Sequence, residues 1–363
     1  MSARLPIRAF AALVGVALAL AAVAGAPPAA RADEKAAKVV TDTEKTPGNP
    51  AEEGKACAPK KARRGGINPC MTPDPGFGAY DHWSGGLTMG QALIPTNGAT
   101  NKKGEFDLVI HFHGHEPVRK EFVKTSRRVV LVGIDLGIGS GAYSSAFSAP
   151  YVYPKLLESI EAAVAKHDGI PKAKARKIAL SSWSAGYGAT EMILRQTGGR
   201  GIDAVLLFDS LHDGYADENA HTLKGEQIEP FVAFARKAAA KQRFMFMSHS
   251  SIVPPGYAST TEVAHYVENK LRGKPRHVAR EDVLGLDMIE RFDKGFFHVR
   301  GYTGEDKPDH CAHIGLMADV MRVHVGPRWK TKTTSVHTHT TAEKKKQKAK
   351  AKAKPKPRAG DDE

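Results

Sequence analysis

A short motif around Ser184 has the residue types that nucleophilic catalysis requires. The apolar residues 178–180 predict a strand, a turn rich in small residues follows, and residues 189–196 predict a helix. Ser182 and Gly186, two positions before and after Ser184, are small, as a sharp strand–turn–helix bend demands. The usual pattern has glycine at both positions, so Ser182 departs from it once. The spacing predicts a serine hydroxyl raised above a sheet edge, where it becomes a nucleophile once a base lies within reach.

A second pattern, His111, His113 and His115, predicts a different chemistry. In a strand these alternating residues would share one face. Imidazoles grouped in this way bind zinc or another divalent cation. The further ligands would be His310, His313 or Asp209. A metal-dependent hydrolase is therefore the first alternative to catalysis by a serine nucleophile, although the motif around Ser184 accounts for more of the residue pattern.

The elements that must position these residues alternate along the chain. Continuous apolar runs predict buried strands, and patterns with helical spacing lie between them. The predicted strands are residues 108–113, 129–134, 178–180, 204–208, 244–247 and 296–299, with an antiparallel addition within 87–94. Ser259 and Glu262 have the spacing of a capping box that opens a helix. We expect an α/β fold with a mostly parallel central sheet and helices on both faces.

Over residues 107–323 the chain resembles the α/β-hydrolase superfamily, in particular its esterase- and lipase-like serine hydrolases. The resemblance is in the order of elements, the Ser184 turn, the His-Gly turn at residues 113–114, and the Asp-His segment at 309–310. It implies a catalytic triad in the chain order nucleophile, acid, histidine, each on a loop after a strand. It implies no cofactor.

Two histidines are candidates for the base. His310 and His313 both open the terminal helix after the last predicted strand. We slightly prefer His313, because His310 on the loop side could lie at the rim of the site.

The resemblance places the acid less clearly. The strand at 244–247, where the family usually has it, ends without a carboxylate. Some lipase-like relatives take the acid from the preceding strand, whose end carries Asp209, with Asp213 as the reserve. The acid would hold the imidazole in one tautomer and stabilise its charged form.

The oxyanion and substrate contacts are also implied by the resemblance. One oxyanion donor would be the backbone N–H of Ala185, and Gly114 would allow the turn that supplies the other. That second N–H would belong to His115 or Glu116. Trp183 and Tyr257 are candidates for the walls of the substrate site.

The two ends of the chain differ from its centre in composition. Residues 1–32 have a basic start, an apolar run and an Ala-x-Ala site, and predict a signal peptide. Residues 33–75 predict a flexible arm, 76–329 one hydrolase-like domain, and the Lys-rich 330–363 a disordered tail. We therefore expect an exported protein, periplasmic or extracellular, without a membrane span after cleavage.

The positive charge is concentrated at the ends. Of the net charge of +14, residues 1–32 carry three units and residues 344–363 carry six, which leaves +5 between them. Nothing in this balance demands a nucleic-acid partner. The tail suits anionic polymers of the cell envelope, bound by charge alone.

The three cysteines leave two pairings open. Cys57 could pair with Cys70, which would leave Cys311 free, or Cys70 could pair with Cys311.

Together these observations predict an exported serine hydrolase that cleaves a carboxylic ester, small or polymeric, through an acyl-enzyme, with an amide or peptide as the less favoured substrate. Besides the metal-dependent hydrolase, a catalytically inactive hydrolase fold that binds in the cell envelope remains an alternative.

Overall fold

The computed structural model describes residues 66–330. These residues contain eleven strands: β1 (Gln91–Leu93), β2 (Glu105–Phe112), β3 (Val129–Ile134), β4 (Lys174–Ser184), β5 (Ala204–Ser210), β6 (Tyr215–Asp217), β7 (Thr222–Leu223), β8 (Phe244–Ser250), β9 (Arg276–Glu281), β10 (Asp287–Lys294) and β11 (Phe297–Tyr302). The predicted signal peptide, most of the predicted arm and nearly all of the Lys-rich tail lie outside the described residues.

Helices connect these strands. They are α1 (His115–Thr125), α2 (Ser140–Ala146), α3 (Val152–His167), α4 (Tyr187–Thr197), α5 (Glu229–Ala239), α6 (Thr260–Lys270), α7 (Lys307–Ala312), α8 (Leu316–Val320) and α9 (Gly326–Trp329). A 3₁₀ turn (His313–Gly315) and a π-helical segment (Met321–Val325) join the last three helices. Within residues 66–330, no helix is both long and apolar enough to cross a membrane.

Nine strands form one sheet in the order β1-β3-β2-β4-β5-β8-β11-β10-β9. The six strands from β3 to β11 in this order are parallel to their neighbours, whereas β1, β10 and β9 pair antiparallel at the edges. Parallel neighbours require crossover helices, which cover the sheet and leave its central strands buried. The predicted fold class is confirmed.

Each face of the sheet has its own hydrophobic core, because successive strand residues point to opposite faces. On one face Leu108 and Ile110 of β2 pack with residues of α3, α4 and α5. On the other face Val109 packs with α1 and with the terminal helices, represented by Val118 and Met317. Because the central strands are parallel, their carboxyl ends lie along one edge of the sheet, and the predicted site residues lie at this edge.

The first described residues are fixed to the domain rather than extended away from it. Cys70 and Cys311 form a disulfide with their Cα atoms 6.1 Å apart. Asn68 Nδ2 donates a hydrogen bond of 2.7 Å to the carbonyl of Pro308, and Asp74 pairs with the buried Arg119. Contacts with the domain therefore begin before residue 76, the predicted boundary. The disulfide resolves the pairing that the sequence left open.

Candidate active site

Ser184 ends β4 in a strained turn. Its φ of 50° lies in the left-handed region, which a residue with a side chain occupies only at a cost of about 1–3 kcal/mol. A Cβ on Gly186 would lie 2.0 Å from the carbonyl oxygen of Phe112, so the following turn excludes a larger residue. The buried Ser182, which stands where glycine is usual, accepts a hydrogen bond from Ser210. The predicted sharp bend is present, with Ser184 partly exposed at its apex.

His310 is the imidazole that the fold pairs with a carboxylate. Its Nδ1 lies 2.7 Å from Oδ2 of Asp209, although 101 residues separate the two in sequence. Asp209 is 1% exposed at the end of β5, while the His310 side chain is 22% exposed. Since Nδ1 is held by the acid, Nε2 is the nitrogen left to exchange a proton.

The environment of Asp209 keeps its carboxylate ionised. Oδ1 accepts hydrogen bonds from the backbone N–H of Ser250 at 2.8 Å and from the hydroxyl of Thr260 at 2.6 Å. Burial by itself would raise the pKa of Asp209. The hydrogen bonds from His310 and Thr260 favour the charged form, and the pKa of Asp209 lies well below its usual value.

The slight preference for His313 as the base is not supported. His313 is fully buried, and its Nδ1 lies 2.9 Å from the hydroxyl of Ser248. Burial lowers its pKa to about 4, so it is neutral at pH 7. One helical turn separates it from His310, and that turn points it into the protein instead of the cavity.

Asp213, the reserve acid, has a structural contact instead. It is buried, and its Oδ2 accepts a 2.7 Å hydrogen bond from the backbone N–H of Gly225. The structure therefore distinguishes the two candidate acids, because only Asp209 contacts an imidazole.

Trp183 lies between two histidines. Its ring is stacked on His113, with centroids 5.1 Å apart, and lies 4.8 Å from the ring of His310. Its Nε1 donates a 3.0 Å hydrogen bond to the carbonyl of His310. Trp183, predicted as a wall of the substrate site, contacts the histidine that pairs with Asp209.

Ser184 borders two cavities of about 370 Å³ each. The first is also lined by Asp209 and His310, and the second by Ala185. Tyr257, predicted at the substrate site, lines both. The serine thus has open space on the side of the histidine and on the side of the backbone N–H that follows it.

His212 also lines both cavities and was missed from the sequence. Its Nδ1 donates a 2.9 Å hydrogen bond to the carbonyl of Ala258, and its ring meets Tyr257 edge to face. Burial lowers its pKa, so the imidazole is neutral and its Nε2 can accept a hydrogen bond from a ligand. No sequence spacing predicts His212 as a site residue, because it is held at the site by its hydrogen bond to Ala258, which is distant in sequence.

One of the two candidates for the second oxyanion donor is directed to a carboxylate. The N–H of His115 and the N–H of Gly114 both point to the carboxylate of Asp135, at 3.4 and 2.6 Å. Glu116, the other candidate, lies in α1, where its carboxylate accepts from Trp83. Asp135, which follows β3, thus caps α1, and no short motif predicted that contact.

The three alternating histidines do not form a metal cluster. His111 is buried between Ser181 and the carbonyl of His113. β2 ends at Phe112, and the φ of 72° at His113 breaks the alternation on which the prediction depended. His113 contacts Tyr143, whereas His115 contacts Asp135.

The sheet order, the strained serine turn and the histidine after the last parallel strand are those of an α/β-hydrolase-like fold. No model of a protein family matches the chain, and no curated protein matches its sequence.

The solved structures that are similar to it include three at low identity. One is LpqC, a poly(3-hydroxybutyrate) depolymerase from Bordetella parapertussis, with 14% identity, 63% of this chain and 82% of that chain covered, and a TM-score of 0.39. Another is an IroE-like serine hydrolase from Shewanella oneidensis, with 14% identity, 64% and 74% covered, and a TM-score of 0.34. The third is a cold-adapted esterase from an Arctic intertidal metagenomic library, with 16% identity, 64% and 86% covered, and a TM-score of 0.36. Similarity at this level does not indicate an activity, so the activity is inferred from the site residues.

Proposed function

We propose that this chain is a serine hydrolase that cleaves a carboxylic ester through an acyl-enzyme. The observation that carries the proposal is the His310–Asp209 pair, which borders the same cavity as Ser184 in its strained turn. A serine hydroxyl is a weak nucleophile at neutral pH, and a neutral imidazole oriented by a carboxylate is the base that activates it.

In the proposed reaction, Oγ of Ser184 attacks the carbonyl carbon of the ester while Nε2 of His310 takes the hydroxyl proton. The carbonyl oxygen becomes an oxyanion, and the backbone N–H of Ala185 donates a hydrogen bond to it. The C–O bond to the alcohol then breaks, and His310 gives its proton to the departing oxygen. Water repeats the sequence on the acyl-enzyme: His310 takes its proton, the acid leaves and the serine regains its hydrogen.

The two cavities suit the two parts of such a substrate. His310 must return its proton to the leaving oxygen, so we assign the alcohol to the cavity that His310 lines. The acyl part then lies in the second cavity, where its carbonyl oxygen can meet the N–H of Ala185. His212 borders both parts and is the group we expect to contact a polar substituent near the ester.

Export is part of the proposal. The Cys70–Cys311 disulfide persists in oxidising compartments and is reduced in the cytosol, which supports a location outside the cytoplasm. The Lys-rich tail would then attach the enzyme to an anionic envelope polymer near its substrate.

The test is the hydrolysis of nitrophenyl esters of increasing acyl length by the wild type, by Ser184→Ala and by Ser148→Ala. Ser148 is an exposed serine after α2, outside both cavity linings, and serves as the control. We expect Ser184→Ala to lose at least about a thousandfold in kcat and the control to retain full activity. A fluorophosphonate probe should label the wild type at Ser184. Undiminished hydrolysis by Ser184→Ala would refute the proposal, and an unlabelled, inactive wild type would favour a binding protein.

A further inference from the structure

We propose that His249, His265 and Glu290 form a binding site for one divalent metal ion, with zinc as the best fit, separate from the proposed catalytic residues. Within residues 66–330 these three side chains are the group whose nitrogen and oxygen ligand atoms converge, all within 4.8 Å of one another. They come from β8, α6 and β10, respectively.

The distances among the donor atoms suit a tetrahedral ion. Nε2 of His265 lies 3.1 Å from each carboxylate oxygen of Glu290, and Nε2 of His249 lies 3.8 Å from Oε1. Ligand atoms about 2.0–2.2 Å from a tetrahedral zinc ion are about 3.4 Å apart. Small side-chain rotations would therefore bring all three donors to bonding distance of one ion.

The hydrogen-bond geometry of His249 gives the strongest argument for a cation. The hydroxyl of Thr261 donates to the carbonyl of Ser250, so it accepts from the N–H at Nδ1 of His249, 2.7 Å away. Nε2 of a neutral His249 then carries a lone pair. This nitrogen is buried, has no hydrogen-bond partner and faces a carboxylate oxygen that is also an acceptor. Two acceptors opposed in a buried place repel each other unless a cation lies between them.

The surroundings keep this space open and place a second carboxyl group beside it. A Cβ on Gly301 would lie 2.6 Å from Nε2 of His249, so glycine leaves room for the imidazole. Glu268, one helical turn after His265, is 1% exposed, and neither of its carboxyl oxygens has a hydrogen-bond partner. Burial raises the pKa of this carboxyl group to about 7, and a cation bound at the cluster would favour its ionised form.

The chemistry of the donors favours zinc among the common metals. Two imidazoles and one carboxylate are a donor set that zinc accepts, whereas calcium and magnesium prefer oxygen alone. Binding would displace the proton that Nε2 of His265 shares with Glu290.

The metal would stabilise the acid of the catalytic pair without touching the substrate. His249 and its neighbours Ser248 and Ser250 point to opposite faces of β8. The N–H of Ser250 bonds Asp209, and Thr261, which holds His249, bonds the carbonyl of Ser250. An ion linking β8, α6 and β10 would thus fix the strand end that supports Asp209.

The experiment uses the full chain, stripped with a chelator and dialysed, then given ZnCl₂. Bound zinc is counted by mass spectrometry, and thermal unfolding is followed with and without the metal. We expect each chain to bind one zinc ion at this site, in addition to any zinc bound by other histidines. We also expect the bound zinc to raise Tm by about 5 °C or more. CoCl₂ should give the visible absorption of a tetrahedral cobalt site.

The matched variants separate this site from other histidines, including His337 and His339 of the tail. His265→Ala removes a half-exposed ligand and should lose one equivalent of zinc, the cobalt spectrum and the rise in Tm. His82→Ala, which changes an exposed histidine, should keep all three. Equal zinc and an equal rise in Tm in wild type and His265→Ala would overturn the proposal, as would no zinc bound by either. Because Ser184→Ala should bind zinc like the wild type, the outcome is independent of the proposed activity.

Discussion

Trp183 Nε1 and the carbonyl oxygen of His310 are joined by a 3.0 Å hydrogen bond across 127 residues of sequence. Trp183 immediately precedes Ser184, so the turn that carries the proposed nucleophile also holds the backbone of the proposed base. The ring of Trp183, 4.8 Å from that of His310, limits the positions the imidazole can adopt. Trp183 therefore links the proposed nucleophile, its neighbour in the chain, to the proposed base.

Replacing Trp183 by phenylalanine keeps a ring next to His310 but removes the N–H. We expect Trp183→Phe to lower kcat about tenfold with little change in KM, because small displacements of a catalytic group are costly. Trp83→Phe is the control, since the Trp83 indole donates to Glu116 outside both cavity linings. Steady-state kinetics of the two variants test this, and an equal effect on kcat in both would argue against a positioning role for Trp183.

The two histidines of the closing helical segment should behave differently. His310→Gln should lose at least about a thousandfold in kcat and fold normally, because its side chain is partly exposed. His313→Gln should keep most of its activity and lower Tm, because it disturbs a fully buried contact with Ser248. Ester hydrolysis and thermal unfolding distinguish them. The reverse pattern would restore His313 as the base.

Removing the charge of Asp209 should cost activity more than stability. We expect Asp209→Asn to reduce kcat by about 10²–10⁴, since the imidazole loses the group that sets its tautomer. Thr260→Val, which removes one hydrogen bond to Asp209, should have a smaller effect in the same direction. Asp213→Asn is the comparison for a second buried carboxylate: because Asp213 lines the second cavity but does not contact His310, it should change Tm and KM with little change in kcat. A loss of kcat in Asp213→Asn equal to that of Asp209→Asn would contradict the assignment.

The disulfide connects stability to the site, because Cys311 directly follows His310. Removing both partners with Cys70→Ser and Cys311→Ser should lower the free energy of unfolding by about 3–5 kcal/mol, given the 241-residue separation. We also expect lower activity at elevated temperature. Thermal unfolding with and without reductant measures the effect. The double variant provides the control, because reductant should not change its Tm.

Two buried histidines predict a loss of stability in acid. Burial lowers the pKa of His111 to about 3 and that of His313 to about 4, against about 6.5 in an unfolded chain. Between pH 6.5 and 4 the unfolded state therefore binds more protons, so stability falls as the pH falls. Each histidine contributes a slope of about 1.4 kcal/mol per pH unit in this window.

Urea unfolding at pH 7, 6 and 5 measures that slope. His313→Gln should be less stable at pH 7 but should show a shallower dependence on pH, because one of the two groups no longer titrates. His82→Ala, at an exposed position, should keep the slope of the wild type. An unchanged slope in His313→Gln would show that this imidazole does not take up its proton on unfolding.

The sequence alone predicted those structural features whose physical cause lies within a single segment of the chain. Continuous apolar runs predicted all six parallel strands, and residues 129–134 match β3 at both ends. The Ser259–Glu262 capping box is present at the start of α6. The hairpin of β9 and β10 was missed. The edge strand β9 is mostly exposed and charged, and the buried positions of β10 include Glu290 between Met288 and Phe292, so neither strand is a continuous apolar run. The N-cap of α7 is Asp306, and Asp309 lies within this helix.

What the sequence by itself determined is the fold class and the Ser184 turn, since both follow from local patterns of apolar and small residues. Only the tertiary structure showed that His310 rather than His313 pairs with a carboxylate, that this carboxylate is Asp209 rather than Asp213, and that Cys70 pairs with Cys311. It also separated the three alternating histidines and brought His249, His265 and Glu290 together. Each of these outcomes depends on which distant residue is within a few ångströms, and that is set by the packing of strands and helices across the whole sheet.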